Sequence, residues 1–216
     1  MRKQMPSMNE ILGRIWDLFV LNLLFILCSI PILTIGASLT AMHRVLLQIV
    51  RDDDVHYVKD FFQTFKREFK QSTLLWLPML LIGAVLFADQ TMILPGLDGM
   101  PRTLLFFASL FFEAFWVLLM IYLWPLQARY ANPIRQTVKN ALLIGIWKLG
   151  QTILCALIYL ALPLVYMLFA SMQPVVMILY LICGFSVPGL LADTILNRVF
   201  LEVIPGEKEA RFEEEE

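Results

Sequence analysis

From Leu149 to Ala192 the chain runs 44 residues without a charged side chain. One membrane-spanning helix needs roughly 20 apolar residues at about 1.5 Å of rise each, so this stretch is long enough for two. Gln173 and Pro174 supply the turn between them. Three more segments pass the same test. Leu18 to Met42 has no charge but is interrupted by Pro31 and Gly36, Gln71 to Ala88 has none, and Thr103 to Ala128 has only Glu113. Composition agrees: 59% of the 216 residues are hydrophobic and 16% charged, where soluble domains carry about 25% charged residues. The mean hydropathy is +0.73. Too few polar residues remain to cover a soluble surface, so the fold class is all-α, a polytopic transmembrane helix bundle.

The number of crossings follows from the placement of Lys and Arg, which concentrate in cytoplasmic loops. If residues 11–50 crossed once, Arg44, Arg51, Lys59, Lys66, Arg67 and Lys70 would lie outside. If the chain turns back between Ser29 and Gly36, 16 of the 17 cations are cytoplasmic and only Arg102 is external. Six spans result, at 10–30, 36–51, 72–93, 103–125, 148–171 and 174–195, with both termini cytoplasmic. Trp16, Trp76, Trp124 and Trp147 fall at the cytoplasmic ends, as an aromatic belt would place them, and Trp116 lies deeper. The second span is the shortest and carries His43 and Arg44. Met1, Arg2 and Lys3 precede an apolar stretch without a convincing cleavage site, so the first helix is read as retained.

Between spans two and three, Tyr57, Phe61, Phe65 and Phe69 recur every four residues among Lys and Arg. This pattern predicts an amphipathic cytoplasmic helix over 56–71, lying in the membrane interface, with Asp52, Asp53 and Asp54 as acceptors for its first turn. Ser7 and Glu10 read as a capping box for the first helix. Residues 1–205 form one membrane domain, and the charged tail 206–216 has a disordered composition.

Catalytic constellations are missing. The chain has two histidines, His43 and His56, and three cysteines, Cys28, Cys155 and Cys183, all inside apolar runs without metal-ligand spacing. There is no Cys-x-x-Cys, Walker loop, dinucleotide fingerprint or nucleophile elbow. The sequence thus predicts no enzyme, no cofactor and no metal, and a net charge of -1 gives no basis for nucleic-acid binding. The informative residues are polar groups at membrane depth, which are costly there and face a bundle interior or cavity. Glu113 sits ten residues into its expected span. Arg44 either snorkels or pairs with Glu113, and Asn22 lies at the centre of the first span. Asn22, His43, Arg44 and Glu113 together form a candidate intramembrane polar site. Asp193 is read as a water-accessible residue near an inner end.

The run from Asn22 through Pro31-x-x-Thr34-x-Gly36 to Arg44, followed by Phe61-Phe62-x-x-Phe65-Lys66, resembles the YesL-like family of predicted bacterial membrane proteins. The match is specific over the first third of the chain. Asn22, Pro31, Thr34, Gly36 and Arg44 fall on the family's motif, and Phe61, Phe62, Phe65 and Lys66 on its interfacial stretch. The family has no established biochemical activity. Its members are often encoded beside carbohydrate-uptake transporters and polysaccharide-degrading enzymes of Gram-positive bacteria. The resemblance therefore implies an accessory or regulatory component of carbohydrate uptake, with the bilayer and a carbohydrate transporter subunit as partners. The residues keep a second reading open, a stand-alone small transporter or channel built around Glu113. An ABC permease subunit fits less well, because residues 126–147 lack a Glu-Ala-Ala-x-x-x-Gly coupling pattern. Physically, Pro31 and Gly36 serve either a tight turn or an irregular, cavity-lining break.

Overall fold

The structure is a computed structural model that describes residues 8–203 apart from 52, 54 and 131. The expected capping residues Ser7, Asp52 and Asp54 and the tail 206–216 lie outside the described residues. Eight α-helices follow one another: α1 Met8–Cys28, α2 Ile35–Val50, α3 Tyr57–Ala88, α4 Gly99–Arg129, α5 Ile134–Trp147, α6 Leu149–Leu168, α7 Gln173–Ile182 and α8 Ser186–Val203.

Among the described residues, four helical stretches are long and apolar enough to cross a membrane: Ile32–Val50, Tyr57–Gly96, Gly99–Arg129 and Leu149–Leu168. A fifth is the pair Ala170–Ile182 and Ser186–Val203, bent by 65°. The 21 residues of α1 rise about 31 Å, also a membrane thickness. Where the sequence predicted six spans, the described residues offer four crossings, or five with the bent pair, by length and composition, and three further differences follow.

The first concerns residues 56–71, which do not form a separate helix. They are the first half of α3, a continuous helix of 32 residues about 48 Å long. No Gly or Pro falls between Tyr57 and Leu77 to end it, and Pro78 sits inside without stopping it. The apolar side of this half is also not given wholly to lipid: Phe61 is fully buried among Leu21, Phe25, Val45 and Leu46 of α1 and α2. Its first turn is closed by Asp60, whose carboxylate accepts the His56 N–H at 3.0 Å. Asp53 instead pairs with Arg51 at 3.5 Å.

The second difference is the last span, expected as one helix over 174–195. It is broken at Cys183–Phe185 into α7 and α8. The third is α5, an additional helix in the connection after α4, started by Pro133 and kinked into α6 at Lys148. Gly145 on α5 allows close contact with α4, since a Cβ there would collide with the Leu118 side chain.

Helix α2 is the axis of the bundle. It is buried almost continuously from Gly36 to Leu47 and packs against α1, α3, α4 and α8. A second cluster joins α3, α4, α5, α6 and α8 around Tyr122, Trp124, Tyr130 and Phe200. The tryptophans divide accordingly. Trp16 and Trp147 are exposed, at 63% and 71%, as a belt at the membrane surface would be. Trp124 is buried against Trp76 with ring centroids 6.0 Å apart, so these two serve packing rather than the belt.

Along α3, the α1–α2 turn lies beside Trp76, nineteen residues from the start of that helix. Trp76 Nε1 donates to the Ile32 carbonyl at 2.7 Å, which fixes the turn beside Trp76. From there α3 continues to Ala88, about 18 Å of further helix.

Candidate functional site

The four residues expected in one polar layer lie in separate places. Asn22 closes the break between α7 and α8. Its Nδ2 donates to the carbonyls of Tyr180 and Leu181 at 3.0 and 2.9 Å. Its Oδ1 accepts the N–H groups of Phe185 and Ser186 at 2.9 and 3.2 Å. A carboxamide has two N–H donors and one oxygen with two lone pairs, and all are used here. The bend also requires Gly184, because a Cβ at that position would collide with Tyr180 Cα.

His43 projects from α2 toward α8. Its Nδ1 lies 2.8 Å from Asp193 Oδ2, with side-chain exposures of 4% and 0%. Asp193 is therefore not a water-accessible surface residue, contrary to its sequence reading. It is internal because α8 is turned by the break so that Gly189, Ala192, Asp193 and Leu196 share its buried side. The sequence signal was spacing: Ser186, Gly189 and Asp193 lie three and four residues apart, on one helix face.

Arg44, one residue on, points elsewhere. Its guanidinium donates to the Ala128 carbonyl at the end of α4, at 3.3 Å. The neighbouring residues of α4 carry a buried polar layer that sequence reading missed. Gln127 Nε2 donates to Glu68 Oε2 at 2.7 Å, and Gln71 Nε2 reaches Gln127 Oε1 and the Asn132 carbonyl at 3.1 and 2.6 Å. Arg129 donates to Asn197 Oδ1 at 2.6 Å. These amides flank apolar runs, and that position was the available clue.

Glu113 is remote from Arg44. Along α4 it is separated from Ala128 by about 22 Å of helix. Its partner is Gln90, whose Nε2 lies 2.8 Å from Glu113 Oε1 and 3.3 Å from Ser109 Oγ. Gln90 belongs to a single π turn, Asp89–Ile93, that ends α3. Glu113 thus sits with the far end of α3, not at a central layer, because α4 begins at Gly99 and runs back along α3 from there. The Arg44–Glu113 ion pair is not formed.

The Pro31-x-x-Thr34-x-Gly36 motif builds the α1–α2 turn. Pro31 starts a short 3-10 turn over Ile32–Thr34. The Thr34 hydroxyl lies 2.6 Å from the Cys28 carbonyl and 2.7 Å from the Pro31 carbonyl, in a shared bond. Gly36 lets α2 approach α3, since a Cβ would meet the Ser72 carbonyl oxygen at 2.6 Å. One turn on, Thr40 bonds Ser72 at 2.9 Å. Of the aromatic-basic stretch, Phe61 and Phe65 stack at 6.3 Å on the packed side, while Phe62 and Lys66 are exposed. Among the described residues, no three His, Cys, Asp or Glu side chains are placed to hold a metal ion.

Comparison with known proteins locates similarity in the same part of the chain. Residues 18–90 match the family described as "Protein of unknown function, DUF624". Over 135 residues the chain is 29% identical to the "Uncharacterized protein YteU" of Bacillus subtilis (strain 168), covering 62% of this chain and 60% of that relative. The chain thus spans less than two thirds of the curated relative's length. No solved structure matches it.

Proposed function

We propose that the protein is an accessory component of carbohydrate uptake in a bacterial plasma membrane, non-enzymatic and without a transport path of its own. The observation behind this reading is the separation of the polar residues. Asn22, His43, Arg44 and Glu113 each bond within their own helix contact, and about 22 Å of α4 lies between the Arg44 and Glu113 contacts. A transporter built on a Glu113 layer would need those groups around one cavity. The carbohydrate link rests on the family resemblance, and the partner it implies is a carbohydrate transporter subunit embedded in the same bilayer. Both termini are assigned to the cytoplasm because 16 of the 17 cations then lie on that side.

The test combines two measurements. Affinity purification of the tagged full chain from native membranes should recover a sugar-permease subunit, and deletion should slow uptake of at least one sugar. Unchanged uptake of every sugar handled by neighbouring genes, with no permease recovered, would overturn the reading. Flux of sugars, ions or protons through the purified protein in liposomes would favour the stand-alone transporter instead.

A further inference from the structure

Asp193 has no exposed surface, and its two oxygens are treated unequally. Oδ2 faces His43 Nδ1 at 2.8 Å, whereas Oδ1 is buried without a hydrogen-bond partner. A carboxylate inside a membrane bundle is costly unless its charge and lone pairs are matched. The helices around it supply little matching charge. From α2 comes His43. From α6 come Cys155, fully buried, and Tyr159, both within electrostatic reach of Asp193. Helix α4 presents Tyr122 to Cys155, with its hydroxyl 3.0 Å from Thr152. Of the ionisable side chains of α1, Arg14 and Asp17 gather instead at Tyr57.

We propose that His43 and Asp193 together bind one proton inside the bundle. With the imidazole neutral and the carboxylate ionised, the pair carries one negative charge. A proton taken from water makes it net neutral, forming one N–H or O–H bond and breaking none within the protein. Two groups this close titrate as a unit, so the proton belongs to the pair. A metal ion is the poorer ligand, because the described residues offer no third His, Cys, Asp or Glu to complete its shell. The bond joins α2 to α8, the helix that follows the break closed by Asn22. Proton occupancy is thereby coupled to how α8 packs on the bundle axis.

The chain's two histidines make the test direct. Full-length His56→Gln protein, labelled with 15N-histidine and held in lipid nanodiscs, gives imidazole signals from His43 alone. Those signals should move as the pH is varied over the range in which the protein stays folded, reporting proton uptake by the pair. They should stay fixed over that range when Asp193→Asn is added, and move again with Asp193→Glu. Signals that do not move in the folded His56→Gln protein overturn the proposal, whether or not the Asp193 variants fold. Equal movement in the Asp193→Asn protein also overturns it, since the carboxylate would then have no part.

Discussion

Asn22 on α1 accepts the backbone N–H of Ser186, the first residue of α8, at 3.2 Å. With its three companion bonds this contact ties the first helix to the break in the last one. Replacing Asn22 by Ala removes its bonds to the Leu181 carbonyl and to the Phe185 and Ser186 N–H groups at membrane depth, while the Tyr180 carbonyl keeps the Gly184 N–H at 3.3 Å. Each buried unmet group costs about 1–3 kcal/mol, although measured side-chain bonds inside membranes average nearer 0.6 kcal/mol. Asn22→Ala should therefore lower stability by on the order of 2 kcal/mol. Asn22→Asp should be worse, because a carboxylate oxygen would face the Tyr180 and Leu181 carbonyls. Thermal unfolding in detergent ranks the variants. Equal melting temperatures for wild type and Asn22→Ala would mean that the break is held by packing alone.

The bend makes a second demand, at Gly184. Gly184→Ala drives a methyl group into Tyr180 Cα, well inside van der Waals contact, so the backbone must shift, at a cost of about 1–3 kcal/mol. Gly150, on α6, has open space where a Cβ would stand, with nothing within 4 Å. Gly150→Ala should therefore be neutral or stabilising by up to about 1 kcal/mol through helix propensity. Opposite signs for the two substitutions in one unfolding assay are the expected result.

The two glycines also illustrate how much of the fold was legible in the residues. Charge-free length revealed the membrane helices, since the bilayer imposes it on each segment separately. The break at Cys183–Phe185 was hidden, because it depends on Asn22, more than 150 residues away in sequence, and no local pattern encodes that partner. Asp193 was misread for the same reason, as its burial follows from the bend before it. Glu113 stood out in the sequence as an ionisable group in an apolar run, but its depth depended on where α4 starts, and helix boundaries are weakly encoded. The aromatic stretch at 57–69 showed its two faces by periodicity. That its packed face meets α1 and α2 required the tertiary structure.

The turn at Pro31 gives a topological prediction. Its exposed side chains are Ile30, Ile32 and Leu33, at 72%, 60% and 56%, while the carbonyls of Cys28, Pro31 and Ile32 are met by the Thr34 hydroxyl and the Trp76 indole. Apolar side chains outward and three carbonyls met internally suit a turn in hydrocarbon, where water cannot serve as partner. The α1–α2 hairpin should thus turn back within the apolar layer. In a protein with Cys28, Cys155 and Cys183 replaced by Ala, Ile32→Cys should resist a charged maleimide applied from either side, whereas Asp98→Cys should react from one side. Rapid labelling of Ile32→Cys from the Asp98 side would show instead that the hairpin crosses fully. Thr34→Val, which leaves the Cys28 and Pro31 carbonyls without the hydroxyl, should destabilise by about 1–3 kcal/mol.

Glu113 separates the accessory reading from the transporter reading most cleanly. Its oxygen accepts from Gln90 at 2.8 Å, and a glutamine can present an oxygen to the same amide. Glu113→Gln should therefore change stability by less than about 1 kcal/mol and leave sugar uptake in cells unaltered. Glu113→Leu removes the acceptor and should cost on the order of 1–3 kcal/mol, because the Gln90 amide then loses a partner in apolar surroundings. Unfolding midpoints and uptake rates, measured on both variants, form a two-way comparison. A stability loss confined to Glu113→Leu, with uptake intact in Glu113→Gln, marks a hydrogen-bonded structural carboxyl. Uptake abolished by Glu113→Gln at unchanged stability would require the charge itself, as a proton or substrate contact does, and would return the transporter reading to first place.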